Sequence, residues 1–168
     1  MQRQADYHPG MGAASASDPA FAVGEIEVER IRDLRWTVLR ASLPRASTVF
    51  PGDDQPTSIH LAACRGSEVV GCASFMATAY EDQEAYQLRG MATAPAWQRQ
   101  GLGRQLLTLG EELLRARGVR LLWCNARLIA LGFYQGQGWE ITSPLFEVPT
   151  AGAHHRMIKR LAGAPCAR

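Results

Sequence analysis

The sequence has no long apolar run, no large excess of one charge and no segment resembling an export signal. No window approaches 18 uncharged apolar residues, so we expect no membrane-spanning helix. Lys and Arg total 18 against 16 Asp and Glu, which is a much smaller basic excess than proteins that cover nucleic acid usually have. Met1 to Pro19 lack the apolar core of a secretory signal. We therefore expect a cytoplasmic protein with neither nucleic acid nor membrane as a partner.

Cysteine and histidine motifs for metal binding are also missing. The four cysteines form no C-x-x-C pair, and no histidine lies at zinc-finger spacing from them. Cys72 and Cys124 fall in apolar runs typical of buried strands, where a free thiol behaves as a small apolar residue. We expect no metal, and structural thiols rather than a nucleophile at Cys124.

The chain does have enough apolar residues for one domain. Its 168 residues are 46% hydrophobic, which is sufficient to bury a core without disulfides. Residues 1–20 are rich in small and polar types and are predicted to be a disordered or loosely ordered arm. Residues 21–168 are predicted to form a single α/β domain.

Apolar periodicity predicts the element order β-α-β-β-β-α-β-α-β-β. Leu102, Leu106, Leu109 and Leu113 form the stripe of the clearest helix, predicted over 102–116, and Gly118 is placed to end it. Pro144 and Pro149 predict a loop between the last two strands. The other predicted helices cover about 31–39 and 127–135, and the strands cover about 21–26, 58–63, 69–78, 86–93, 119–124, 139–142 and 154–161.

The most informative stretch is the glycine turn before the clearest helix, Gln98-Arg99-Gln100-Gly101-Leu102-Gly103-Arg104. Its glycines allow close backbone approach, and the N–H groups of the helix start favour an anion. The segment 98–120 contains five arginines and two glutamates, a local net charge of +3, so the basic charge of the chain is concentrated here. Neither the P-loop pattern nor a third glycine of a dinucleotide fingerprint is present, since position 106 is Leu106.

This turn resembles the Q/R-x-x-G-x-G/A motif of the GNAT superfamily of N-acetyltransferases. The segment from Leu88 to Pro95 resembles the splayed central strand of that family, and Trp123 to Arg127 with Phe133-Tyr134 and Gly138-Trp139 resembles its next strand and helix. The resemblance covers about residues 26–161. It implies the GNAT fold, a central mixed, mostly antiparallel twisted sheet of six to seven strands flanked by helices.

The resemblance also implies acetyl-CoA as co-substrate, without a metal, and a set of site residues. Backbone groups of Met91, Ala92 and Thr93 would pair with the pantetheine arm, and one N–H near Ala92 would polarise the thioester carbonyl. Asn125 would contact the cofactor from the neighbouring strand, and Tyr134 would protonate the departing thiolate. The pyrophosphate would be held by the turn and helix start, from Gln98 and Arg99 through Gln100, Gly101, Leu102 and Gly103 to Arg104.

The general base and the acceptor are left open by the sequence. Glu84 before the central strand and His154 on the last strand are the candidate bases. Asp53 and Asp54 could attract a cationic amine, although a turn alone would explain them, and Arg40, Arg45 and Arg156 could equally favour an anionic acceptor. A small amine or amino-acid-like acceptor is the first hypothesis. The alternatives are acetylation of a protein N-terminus or lysine, and a non-catalytic acyl-CoA-binding module. A homodimer through a sheet edge stays open.

Overall fold

A computed structural model describes residues 21–163; the predicted arm, residues 1–20, lies outside this range. Within it the chain forms one twisted sheet and three α-helices, with short 3-10 turns between them. The helices are α1 (Arg32–Leu39), α2 (Leu102–Ala116) and α3 (Leu131–Gly136). The strands are β1 (Ala22–Glu25), β2 (Ile59–Arg65), β3 (Glu68–Ala77), β4 (Tyr86–Thr93), β5 (Leu121–Arg127), β6 (Glu140–Ile141), β7 (Phe146–Val148) and β8 (Gly152–Arg160).

The sheet order is β1-β2-β3-β4-β5-β8-β6, with β7 also paired to β8. All neighbouring pairs are antiparallel except β4 and β5, which are parallel. This confirms the predicted mixed, mostly antiparallel α/β sheet flanked by helices. The strand count exceeds the predicted six to seven because β7 lies in the segment predicted as a loop. The prolines at 144 and 149 stand outside β7, so its three residues still pair with β8.

The two faces of the sheet carry different helices. The leucines of α2 pack on one face, where Leu102, Leu106 and Leu114 are fully buried among β2, β3 and β5 side chains. Leu109 and Leu113 of the predicted stripe are half-buried. On the other face, Ile31 and Leu34 pack with Ala92 and Cys72. The sheet therefore separates an α2 side from an α1 side. No helix among residues 21–163 is both long and apolar enough to cross a membrane.

Strand β5 extends further than its apolar run predicts. The run ends at Cys124, but the strand continues to Arg127 and pairs with β8 throughout, as far as the pair Arg127–His154. Cys124 and Ala126 face the α2 side, while Asn125 and Arg127 alternate to the α1 side. Polar side chains are thus placed on the α1 side at this end of the sheet.

Candidate active site

Strands β4 and β5 separate soon after they begin to pair. Their parallel pairing is limited to Tyr86–Leu122 and Gln87–Trp123. Beyond Gln87, no strand within residues 21–163 pairs with the β5-facing edge of β4. A cleft of about 220 Å³ opens there, which we call the β4/β5 cleft. Main-chain groups on this edge can therefore pair with a ligand.

A β-bulge shapes β4 at the cleft. Its register with β3 shifts between the pairs Cys72–Ala92 and Ser74–Arg89, so one extra residue lies on the β4 side. Gly90 within the bulge has φ +60°, and a Cβ there would lie 2.7 Å from Phe50 Cε2. Glycine is therefore required both by the left-handed backbone and by the close approach of the ring. Met91, the next residue, lines the cleft.

The start of α2 lies beside the same methionine. Gly101 precedes the helix with φ +80°, and the first helical bond runs from the Gln105 N–H to the Gly101 carbonyl at 3.0 Å. The N–H groups of residues 102–104 therefore have no partner within the helix, and its first turn contains no acidic residue. A Cβ at Gly103 would lie 3.3 Å from Met91 Cε. A helix start with the geometry that favours an anion thus borders the β4/β5 cleft.

The other predicted residues of the turn flank this helix start. Arg99 has φ +62°, and the Gln98 side chain donates to the Thr93 carbonyl at 3.1 Å. That bond ties the turn to the end of β4. Gln100 and Arg104 lie in the same segment, one before Gly101 and the other in the first turn of α2.

Tyr134 on α3 closes the α2 side of the cleft. Its ring packs against Phe133 and Trp139, with ring centres 5.2 and 5.5 Å away, and only 8% of the residue is exposed. The hydroxyl donates to Met91 Sδ at 3.6 Å, and a thioether is a weak acceptor. Burial, with a smaller contribution from Cys124, raises the pKa of Tyr134 well above its usual range. The phenol therefore stays protonated and has a proton to donate.

The structure separates the two candidate bases. His154 on β8 lines the cleft and is buried. Its Nδ1 lies 2.7 Å from the Gly152 carbonyl oxygen, and because a carbonyl only accepts, Nδ1 carries the hydrogen. In neutral imidazole Nε2 then keeps its lone pair. Glu84 is exposed before β4 and is not among the cleft-lining residues.

Asn125 and Cys124 both line the cleft from β5, but they differ in solvent exposure. Asn125 is exposed on the α1 side, whereas Cys124 is buried in the core. Burial raises the pKa of the Cys124 thiol to about 12, so the thiolate needed for nucleophilic attack is not formed at neutral pH. Among residues 21–163, no group of three or more His, Cys, Asp or Glu is arranged to hold a metal ion.

A buried polar network behind the cleft was missed by sequence reasoning. Arg35 of α1 is fully buried and donates to both carboxylate oxygens of Asp53, at 2.7 and 3.0 Å. It also donates to Ser74 Oγ at 2.6 Å, and His60 lies 2.7 Å from the same hydroxyl. The interpretation of Asp53 as an attractor for a cationic amine is wrong, because its carboxylate is neutralised by Arg35. The available signal was an arginine four residues after Ile31, on the apolar stripe of α1.

Comparisons with known proteins agree with this geometry. Residues 27–139 match the model of the Acetyltransferase (GNAT) family. The chain is 32% identical over 142 residues to the uncharacterized N-acetyltransferase YitI of Bacillus subtilis (strain 168), covering 83% of this chain and 95% of that protein.

Solved structures show the same fold at low sequence identity. An aminoglycoside 6'-N-acetyltransferase complexed with coenzyme A has a TM-score of 0.69 at 14% identity, over 86% of this chain and 99% of that one. The ribosomal-protein-S18-alanine N-acetyltransferase of Escherichia coli has a TM-score of 0.69 at 18% identity, over 89% and 99%. With the family match over most of the domain, these findings show that the chain belongs to the GNAT family of N-acetyltransferases.

Proposed function

We propose that this protein transfers the acetyl group of acetyl-CoA to the amine of a small-molecule or amino-acid-like acceptor, by direct attack while both substrates are bound. The observation that carries the proposal is the convergence of three groups on Met91. They are the unpaired edge of β4, the first turn of α2 and the Tyr134 hydroxyl.

The chain's donors fit an acyl-CoA at this place. Met91, Ala92 and Thr93 lie on the free edge of β4, where their backbone groups would pair with the amides of a pantetheine arm. N–H groups from Arg99 to Arg104 would hold the pyrophosphate, with Gln98 bracing the turn. An N–H near Ala92 would polarise the carbonyl, and Asn125 would contact the ligand from β5.

The side chains of the cleft suit direct acyl transfer. When bound, acetyl-CoA supplies an activated acetyl group whose carbon–sulfur bond is replaced by a carbon–nitrogen bond to the acceptor. Tyr134, which its raised pKa keeps protonated, gives its phenolic proton to the departing sulfur. His154 Nε2 takes the proton that the amine loses, and Glu84 is the second candidate for this role. The buried Cys124 thiol favours direct attack over an acetyl-cysteine route.

The walls of the cleft favour a small acceptor over a protein. Val148 and Ala151 of the β7–β8 hairpin line one side, and Leu39 and Arg40 at the end of α1 line the other. With these walls in place, a cleft of about 220 Å³ has room for a small molecule beside the acetyl group.

The test is calorimetric titration with acetyl-CoA, followed by an amine-library assay for free CoA. Tyr134→Phe should lower kcat about 10²- to 10⁴-fold, because a general acid is lost, while the Kd for acetyl-CoA stays within about two-fold. Tyr80→Phe is the matched control, since its hydroxyl donates to Thr142 and it does not line the cleft. Absence of acetyl-CoA binding would refute the proposed function. Unchanged kcat in Tyr134→Phe would remove Tyr134 from the mechanism.

A further inference from the structure

Three arginines from three different elements line the β4/β5 cleft. Arg40 follows α1, Arg89 belongs to β4 and Arg127 ends β5. The cleft-lining residues include no aspartate or glutamate. Any group that enters the cleft from solvent therefore meets positive charge without a compensating acid.

None of the three is neutralised by a carboxylate in the described part of the chain. Arg40 and Arg89 lie over the Phe50 ring, with guanidinium carbons 5.6 and 4.8 Å from its centre. Arg127 donates only weakly, to the Leu39 carbonyl at 3.5 Å. The nearby Arg35 is different, because it forms a bidentate salt bridge with Asp53. The Asp53 carboxylate is thereby engaged by Arg35.

Arg89 is the most constrained of the three. It is half-buried, and burial lowers the pKa of its guanidinium; the charges of Arg35 and Arg40 add to this, and Asp53 opposes it. A partly desolvated arginine whose guanidinium N–H groups face no carboxylate is stabilised by a ligand oxyanion, which it binds through two parallel hydrogen bonds. Phe50 holds the guanidinium in place without using its N–H groups.

This cationic group is separate from the anion site at the start of α2. Phe50 and the end of α1 place Arg40 and Arg89 on the α1 side of the sheet. A Cβ at Gly103 would lie 3.2 Å from Phe133 Cζ and 3.3 Å from Met91 Cε, on the α2 side. His154 lies on the α1 side as well, directly opposite Arg127 in the β5–β8 register. The candidate base and the arginines therefore face the same part of the cleft.

We infer that the acceptor is an amine that also carries a compact oxyanion, a carboxylate or a phosphate, held by Arg89 and Arg40 with Arg127 at the rim. The inference rests on the proposed function and specifies its substrate class. Arg89 and Met91 are two residues apart in the bulged strand, so their Cα atoms are separated by at most about 7 Å. An oxyanion bound by Arg89 is therefore within one small molecule's length of the acetyl group, as in a short amino acid or an aminoalkyl phosphate.

The experiment compares matched acceptors by kcat/KM for CoA release. Each amino acid is assayed beside its amide and its decarboxylated amine, and aminoalkyl phosphates beside the corresponding amino alcohols. A second readout is calorimetric binding of N-acetylamino acids, N-acetylamino acid amides and N-acetylated aminoalkyl phosphates to the enzyme–CoA complex. The variants are Arg89→Gln and Arg40→Gln. Arg160→Gln, an exposed arginine outside the cleft, is the control.

We expect anionic acceptors to exceed their neutral partners about 10- to 100-fold, the range for hydrogen bonds to a charged group. Arg89→Gln and Arg40→Gln should each remove most of this preference while acetyl-CoA binds as in the wild type, and Arg160→Gln should keep it. The amino acid and phosphate series show which oxyanion is used. If no acceptor turns over, preferential binding of the anionic products supports the inference and equal binding overturns it.

Two results overturn the inference while leaving the proposed function intact. One is equal kcat/KM for acids and their amides, and the other is loss of activity in Arg89→Gln that is the same for charged and neutral acceptors. Preferential acetylation of a peptide over every small acceptor overturns both the inference and the small acceptor of the proposed function. Failure to bind acetyl-CoA refutes the proposed function itself, which separates the two ideas.

Discussion

Asp53→Asn should strongly destabilise the protein, because it breaks the buried ion pair behind the cleft. The Asp53 carboxylate is 3% exposed and is bound by the fully buried Arg35 and by the Phe50 N–H at 2.9 Å. Asparagine has nearly the same shape, so the substitution removes a charge without opening a cavity. Arg35 would then be buried without a counter-ion, and its acceptors would be Ser74 Oγ, the Thr48 carbonyl and the new amide oxygen.

The cost follows from leaving one member of a buried ion pair alone. Breaking such a pair costs about 3–5 kcal/mol, because the remaining charge is desolvated without compensation. The amide oxygen of asparagine still accepts one hydrogen bond, so we take the lower end, about 3 kcal/mol. That is a large part of a domain's total stability of about 5–15 kcal/mol. For a domain of this size it corresponds to a fall in Tm of about 6–12 °C.

The assay is urea and thermal unfolding of Asp53→Asn beside Asp54→Asn, which changes an exposed neighbour. Burial alone raises the pKa of Asp53, but the Arg35 hydrogen bonds and charge and the Phe50 N–H outweigh burial and leave it lowered. A lowered folded-state pKa stabilises the protein above the unfolded value of about 3.9, and this contribution is lost as pH falls through the folded pKa. The difference between wild type and Asp53→Asn should therefore be full at pH 7 and shrink in acid. A change at pH 7 no greater than that of Asp54→Asn, about 0.5 kcal/mol, would refute the reasoning.

Two further predictions concern the bulge and the base. Gly90→Ala should destabilise the protein and lower kcat/KM, because a Cβ there would lie 2.7 Å from Phe50 and 3.0 Å from Arg35 Nε. Gly118→Ala is the control, since Gly118 also has a left-handed φ of +82° but a Cβ there would have no atom within 4 Å. Equal unfolding curves and equal kcat/KM for the two variants would contradict the packing argument. His154→Gln should lower kcat/KM about 10²- to 10⁴-fold at neutral pH and less in alkali, where the free amine needs no base, while His155→Gln and Glu84→Gln stay within about two-fold. A larger loss in Glu84→Gln than in His154→Gln would reverse the assignment.

Local patterns in the sequence were sufficient to predict the helices and strands that bury a regular apolar face. The leucine spacing predicted α2 at Leu102–Ala116. In the glycine turn before it, Gly101 has the left-handed backbone that suits a ligand-binding helix start. Strand β7 was missed because three residues between prolines have no periodicity to detect. The pair of Arg35 and Asp53 was missed because the two residues are 18 apart and meet only after the loop following α1 folds back.

The residues that we propose for the acceptor side of the cleft were hidden for a related reason. The apolar run of β5 stops at Cys124 because only its α2 face is covered beyond that point, so Asn125 and Arg127 break the pattern while the strand itself continues. Arg89 likewise interrupts β4 immediately before the bulge at Gly90. An arginine inside a strand is ordinarily explained by solvent exposure or by a partner acid. Neither explanation holds for Arg89, which is half-buried and, within the described chain, faces Phe50 instead of a carboxylate. Residues whose type does not fit the local pattern often serve function rather than stability. Asn125, Arg127 and Arg89 are such residues, and all three line the β4/β5 cleft.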